Sequence, residues 1–292
     1  MEKVKNFYHD KHKQTREERA ASPLFHVRKF NNFIKSLLIS SALNGDPSTA
    51  SLRVLDLCGG TGGDFPKFQH CTRVKKVILV DLSPGSVKEA ERRYVEARRK
   101  TFEAEFHCGN AFDFAEMHRL ITGETRFDLI NCQFAMHYAF STPDHVDELF
   151  KILAHFLKPG GKFVATVPDA EFILDQVGEE GKVLSRPPFF EIEFSGSDRH
   201  QYTFSMGEVV NGVPEFLVRR DQVEKSAKKW GFEINHWTPF QKYFSEAMKD
   251  PDHYALATKM QCLIPAENGS SVDPGAWSCA QLYVAIELEK VK

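Results

Sequence analysis

No two of the six cysteines stand at Cys-x-x-Cys spacing. They fall at positions 58, 71, 108, 132, 262 and 279, a scatter that fits neither a zinc site nor a disulfide framework. Most lie in or beside predicted strands, so they read as buried free thiols of a reducing compartment. No apolar run reaches the length needed to cross a bilayer. The opening stretch, MEKVKNFYHDKHKQTREERA, is polar throughout and carries no secretory leader. A cytosolic or nuclear setting follows by elimination. Nor is there an excess of charge: 38 Lys and Arg against 40 Asp and Glu leave a net charge of −2. That argues against broad non-specific nucleic-acid binding, which needs a large basic surface. It leaves room for a local basic groove around a short phosphate chain. Internal repeats and low-complexity tracts are also missing.

What is present is an ordinary globular composition. The 292 residues, 42% hydrophobic and 27% charged, suit one large domain or two small ones. Phe is over-used, with 25 copies, which points to an aromatic core and supplies material for a stacking pocket. The first 20 residues are strongly charged and lack an apolar face, so they are expected to be mobile unless a ligand orders them. The HDKH at 9–12 sits in this polar tail and carries no metal expectation.

The rest alternates. Residues 30–43 place Phe30, Phe33, Ile34, Leu37 and Leu38 at helical spacing. Short apolar strands follow at 52–57 and 75–81. A charged helix over 84–100 opens with Pro84 in its first turn. Further strands read at 102–108 and 126–132, then a helix at 144–157, a KPGG turn and a strand at 162–168. Five strand–helix alternations at βαβ spacing predict a parallel sheet with helices on both faces. Beyond 170 the pattern loosens. Residues 187–194 and 200–206 look like an antiparallel pair, 209–218 like an irregular segment and 219–230 like a helix. Late strands read at 232–237 and 280–288. Residues 170–217 read as an insertion over the carboxyl edge of the sheet.

The first strand runs into VLDLCGGTGGDF (54–65), with four glycines in five residues. Bare backbone there allows a tight turn and close approach of a ligand. Strand, glycine turn and helix start form a seat for a nucleotide-like cofactor. Asp81 ends the second strand, where a carboxylate can accept from both hydroxyls of a ribose. Asn110 ends the third, where an adenine edge would lie. Those features alone suit NAD and S-adenosylmethionine equally. Two details favour the second. The glycines at 59, 60, 62 and 63 do not follow Gly-x-Gly-x-x-Gly, and LKPGGKFVAT before a fifth strand resembles the turn that closes the core of class I S-adenosylmethionine-dependent methyltransferases.

Three further stretches, VRKFNNFIKSLLI (27–39), NCQFAMHYAF (131–140) and GVPEFLV (212–218), lie in that order around the glycine turn. Together they closely resemble the mRNA cap (guanine-N7) methyltransferases. The resemblance implies an α/β, class I, Rossmann-like fold: a mostly parallel seven-stranded sheet, helices on both faces and a small insertion near 170–217. It implies a polar arm over 1–26 and a single methyltransferase domain over 27–292. It implies methyl transfer from S-adenosylmethionine to N7 of the cap guanosine, giving S-adenosylhomocysteine, with no metal and no membrane. The substrate would be the capped 5′ end of mRNA, in the nucleus. The residues leave open whether other capping-enzyme domains or an activator subunit join the chain.

By that resemblance Lys35, Asp56, Cys58, Gly59, Gly60, Asp81, Asn110, Gln133 and Tyr138 hold the donor. Asn31, Asn32, Lys67, Arg93, His137, Glu215 and Tyr283 face the cap. Guanine offers N1–H and an exocyclic amine to one carboxylate, which would make Glu215 the reader, while His137 can donate toward O6. N7 carries no proton before attack, so positioning rather than a general base carries the reaction, with His137, Tyr138 and Glu215 as the positioning groups. Each nominee also has a structural alternative: a cap for a backbone amide, packing at a strand end, or a solvated charge in the case of Lys67 and Arg93. The family pattern Leu-Asp-Leu-Gly-Cys-Gly-Lys-Gly-Gly-Asp is altered here, with cysteine and glycine exchanged at 58 and 59 and Thr61 in place of lysine. A non-catalytic cap-binding subunit and a small-molecule methyltransferase are the competing readings.

Overall fold

The structure, a computed structural model, describes residues 16–291 apart from 46–49, 124–125, 180, 196–198 and 267–268. The expected mobile arm and the HDKH stretch lie mostly outside the described residues. Within them, Arg16–Ala21 forms a short helix, α1. The helix read from residue 30 starts five residues earlier: α2 spans Phe25–Leu43 and buries Val27, Phe30, Phe33, Ile34, Leu37 and Leu38. That stripe faces the sheet because its members recur at three- and four-residue intervals.

The first half of the chain then builds parallel units. In order these are β1 (Leu52–Leu57), α3 (Phe65–His70), β2 (Val74–Asp81), α4 (Pro84–Glu96) and β3 (Glu103–Cys108). They continue with α5 (Phe114–Leu120), β4 (Phe127–Gln133), a 3₁₀ turn (Met136–Phe140), α6 (Pro143–Phe156) and β5 (Leu157–Pro168). Side-chain caps start the helices: Ser83 accepts from Ser86 N–H, Asp113 from Glu116 N–H and Thr142 from His145 N–H. Helix α4 stops at Glu96 rather than 100, because Ala97 is extended. The KPGG turn is absorbed into β5, where Gly160 has φ 73° and the register with β4 shifts.

The insertion is a helix, α7 (Ala170–Val177), and a separate antiparallel sheet of β6 (Val183–Arg186), β7 (Phe190–Phe194), β8 (Gln201–Met206) and β9 (Val210–Phe216). The segment expected to be irregular is therefore a strand. Gly212 and Pro214 weaken its local signal, but pairing to β8 supplies its backbone partners, with Tyr202 opposite Glu215. His200 donates through Nε2 to Phe140 O at 2.7 Å, joining this sheet to the 3₁₀ turn. After it come α8 (Arg220–Trp230), β10 (Phe232–Pro239), α9 (Phe240–Ala247), α10 (Pro251–Lys259), the hairpin β11 (Leu263–Ala266) and β12 (Gly269–Val272), α11 (Pro274–Ala280) and β13 (Tyr283–Lys290).

The main sheet runs β10-β13-β5-β4-β1-β2-β3, with β13 antiparallel to both neighbours and the first five strands parallel. Successive strand residues point to opposite faces. Val54, Leu79 and Val164 meet Phe30, Phe33 and Ile34 of α2 on one side. Leu55, Ile130 and Phe163 meet Leu149, Phe150 and Leu153 of α6 on the other. Each fully buried Phe contributes roughly 1.5–3 kcal/mol, and Phe33, Phe150 and Phe163 are all at 0% exposure. Strand order reverses between β1 and β4, so a crevice opens beyond their carboxyl ends.

Candidate active site

The chain turns at once after β1. Cys58 (φ 55°) and Gly60 (φ 54°) are both left-handed. Glycine takes that conformation freely, whereas the Cβ of Cys58 costs roughly 1–2 kcal/mol there. Gly59 is required by space: a Cβ on it would lie 2.5 Å from Asp56 Oδ2 and 2.7 Å from Leu79 Cδ1. Asp81 braces the turn from β2, its Oδ2 accepting from Gly60 N–H and its Oδ1 from Ser83 N–H, each at 2.9 Å. The turn opens onto a cavity that Cys58, Gly60, Asp81, Asn110, Gln133 and Tyr138 all line. Six of the expected donor residues thus share one wall. Asn110 Oδ1 accepts from Phe112 N–H at 3.1 Å, leaving its amide NH₂ as the end available to a ligand.

Beneath the cavity lies a buried polar network. Asn131 Nδ2 donates to Asp56 Oδ1 at 2.7 Å and reaches Asp64 Oδ2 at 3.5 Å. Gln133 Nε2 donates to Asn131 Oδ1 at 2.7 Å. Asp64 is ion-paired to Lys35 at 2.7 Å and Lys67 at 2.8 Å, and Lys67 also donates to Asn32 Oδ1 at 3.2 Å. Burial alone would raise the Asp64 carboxyl, but the two lysines outweigh it and hold the group well below the usual carboxylate range. Burial, with the Asp64 charge behind it, pushes Asp56 up to about 8. Asp56 Oδ2 has no hydrogen-bond partner among the described residues. Lys67, weighed above as a surface cation, is turned inward, with its side chain 9% exposed.

A second buried group adjoins the cavity. His137 and Glu215 are 2% and 5% exposed. His137 Nε2 lies 3.4 Å from Glu215 Oε1 without hydrogen-bond geometry, and Tyr202 OH donates to Glu215 Oε2 at 2.9 Å. The His137 and Tyr138 rings are 4.2 Å apart. Tyr283, at the start of β13, meets Phe134 edge-on at 5.0 Å, and Phe134 lines the cavity beside the glycine turn. Asn31 is half-buried on α2. Arg93 is held beside the glycine turn by Glu89 and Thr61. Of the cysteines, Cys132, Cys262 and Cys279 are buried as expected. Cys58 and Cys71 are half-buried and Cys108 is exposed, because β3 is the sheet's outer strand.

The mRNA (guanine-N(7))-methyltransferase domain matches residues 1–291. The chain belongs to that family. Among curated relatives, mRNA cap guanine-N(7) methyltransferase 1 of Arabidopsis thaliana is 30% identical over 99% of this chain and 81% of its own length. The mRNA cap guanine-N(7) methyltransferase of Drosophila melanogaster is 27% identical over 99% and 77%. Among solved structures, the CcbJ methyltransferase of Streptomyces caelestis superposes with a TM-score of 0.57 at 15% identity, over 89% of this chain and 95% of that one. An S-adenosylmethionine-dependent methyltransferase of Clostridium acetobutylicum gives 0.53 at 16%, over 91% and 92%. At such identities the likeness is one of fold, the class I α/β fold expected above.

S-adenosylmethionine is the methyl donor of cap methyltransferases, and the residues present suit it. The unpartnered Asp56 Oδ2 offers an acceptor for an ammonium, and the open space where a Cβ on Gly60 would stand admits backbone-close approach. Three residues of the buried polar groups beside this cap methyltransferase's cavity escaped the sequence reading: Tyr202, Asn131 and Asp64. Asn131 had a signal, a polar residue inside the apolar strand FDLINCQ. Asp64 closed the quoted glycine stretch without a role. Tyr202 could be found only through its pairing opposite Glu215.

Proposed function

We propose that this chain transfers the methyl group of S-adenosylmethionine to N7 of the cap guanosine of mRNA, converting GpppN to m7GpppN. One observation carries the reading. Tyr138 lines the donor cavity while its neighbour His137 faces Glu215 in the adjoining buried group, so consecutive residues serve two chambers. Bound donor supplies an electrophilic methyl on a sulfonium. On this reading Asp81 holds the ribose hydroxyls, Asn110 donates to the adenine edge and Gln133 and Cys58 close the cavity. Asp56 takes the amino group and Lys35 the carboxylate. Glu215 accepts from guanine N1–H and the exocyclic amine, and His137 donates toward O6. Tyr283 borders the ring. Asn31, Asn32 and Lys67 support the boundary between donor and cap, and Arg93 meets the phosphates.

Because N7 has no proton to lose, the residues' task is alignment. Holding two reactants in line can remove roughly 7–11 kcal/mol of barrier. The Glu215 carboxylate lies where positive charge develops on the guanine, so its field favours transfer. Residues 27–292 act as one domain in this reading, with 1–26 as an arm, and the nucleus is the compartment that fits the substrate.

The test is methyl transfer from labelled donor to GpppG and to free GTP. Glu215→Ala should cost at least about 100-fold in kcat/KM for the capped acceptor, because two guanine donors lose their acceptor at roughly 1–3 kcal/mol each. Cap binding without transfer by the unaltered protein would sink the enzymatic reading. An unchanged rate in Glu215→Ala would point to a different acceptor.

A further inference from the structure

We propose that Thr61 is a positioning residue for the acceptor's phosphate chain, acting through Arg93; the proposal rests on the function proposed above. Thr61 sits in the middle of the glycine turn, and Arg93 lies in the last turn of α4. Arg93 Nη1 donates to Thr61 Oγ1 at 2.9 Å and lies 3.2 Å from Thr61 O. Its Nε donates to Glu89 Oε1 at 3.0 Å. Glu89 is itself buried, its side chain 4% exposed, so the carboxylate is a fixed post. Two of the three guanidinium nitrogens are therefore committed to protein oxygens on opposite sides.

The third nitrogen is not. Nη2 meets no protein acceptor among the described residues, and the Arg93 side chain is 38% exposed. The result is a planar cation held at Nε and Nη1, with the Nη2 donors left beside the glycine turn. A phosphate oxygen is an acceptor that suits the remaining Nη2 donors of a charged guanidinium. An arginine on a bare surface must lose much of its rotamer freedom when it binds. Here Thr61 and Glu89 have already restricted it, so an acceptor gains the contact without that loss. Lys67, the other cation assigned to this side, is occupied by Asp64 and Asn32 and is almost buried. Thr61 contributes through its hydroxyl and through the carbonyl that the turn aims at the same nitrogen. The side-chain contribution can be removed alone.

The experiment uses the full chain with Thr61→Val, Thr61→Ser, Arg93→Ala and the Thr61→Val/Arg93→Ala double variant. Steady-state methylation is measured with GpppA, and binding of GpppA is measured separately by calorimetry. Thr61→Val should raise KM and Kd for GpppA about tenfold, with kcat and the donor's KM within twofold. Thr61→Ser, which keeps the hydroxyl, should bind as the unaltered chain does. In the Arg93→Ala background the valine change should add nothing. The proposal is overturned if Thr61→Val lowers kcat or donor affinity instead, if Thr61→Ser fails to restore binding, or if the valine effect persists without Arg93. A chain that binds GpppA with this pattern but transfers no methyl would refute the enzymatic reading and leave the clamp standing.

Discussion

Two buried aspartates 8 residues apart in the chain carry opposite shifts, and the sign of each fixes a pH behaviour. Asp64 is held low by Lys35 and Lys67 against its burial. Its contribution to stability is present above the ordinary 3.8 and fades only as pH falls below that value. Asp56 is raised from 3.8 to about 8. A carboxyl raised by folding stabilises most below 3.8, and that contribution is lost as pH climbs through 8. Denaturant midpoints of the ligand-free protein should therefore decline as pH rises from about 4 to about 8 and level off above that. Asp56→Asn, neutral and of the same shape, should flatten the decline. An equally steep slope in that variant would show that some other group titrates. Ionised Asp56 is also the better partner for an ammonium, so donor affinity should strengthen over the same interval.

The elements that carry the donor side were legible because each had a local signal. Apolar strands ended in Asp56 or Asp81, Pro84 opened α4 and the glycines announced the turn. The cap side was less legible. Strand β9 places Glu215 directly after Gly212 and Pro214, both poor strand formers, and only pairing to β8 makes it a strand. The same pairing sets Tyr202 against Glu215, a relation across a sheet that no linear spacing displays. The helices at 240–247, 251–259 and 274–280 were missed for a similar reason: they are short and take their stability from packing on α2 and β13. Because β8 delivers its hydroxyl to a buried carboxylate, Tyr202→Phe should raise KM for the capped acceptor about tenfold and leave the donor's KM unchanged. Equal losses on both substrates would mean that β8 supports the fold and not the cap side.

At the scale of the molecule, the site is shared between two sheets. The seven-stranded sheet supplies the donor cavity, and the four-stranded sheet brings Glu215 and Tyr202 to the 3₁₀ turn that carries His137. Binding should consequently be sensed in different places. At a hundredfold excess over Kd a ligand adds about 2.7 kcal/mol, a slowing of amide exchange of roughly 100-fold where opening breaks its site. Donor should protect the glycine turn and Ser83–Ser86, and GpppA should protect β8 and β9. Identical protection maps for the two ligands would refute the division. The central sheet also has an order of assembly written into its topology. Strand β13 is the latest of the seven in the chain, yet it lies between β5 and β10, and β10 has no other partner there. During synthesis, a nascent polypeptide that has emerged only as far as β10 holds that strand without a neighbour and β5 with one raw edge. Both are closed when β13 enters between them. Tyr283, the residue that begins it, reaches its place against Phe134 in that same event, so an intermediate stalled before it would be exposed to chaperones while still lacking the ring that packs on one wall of the cavity.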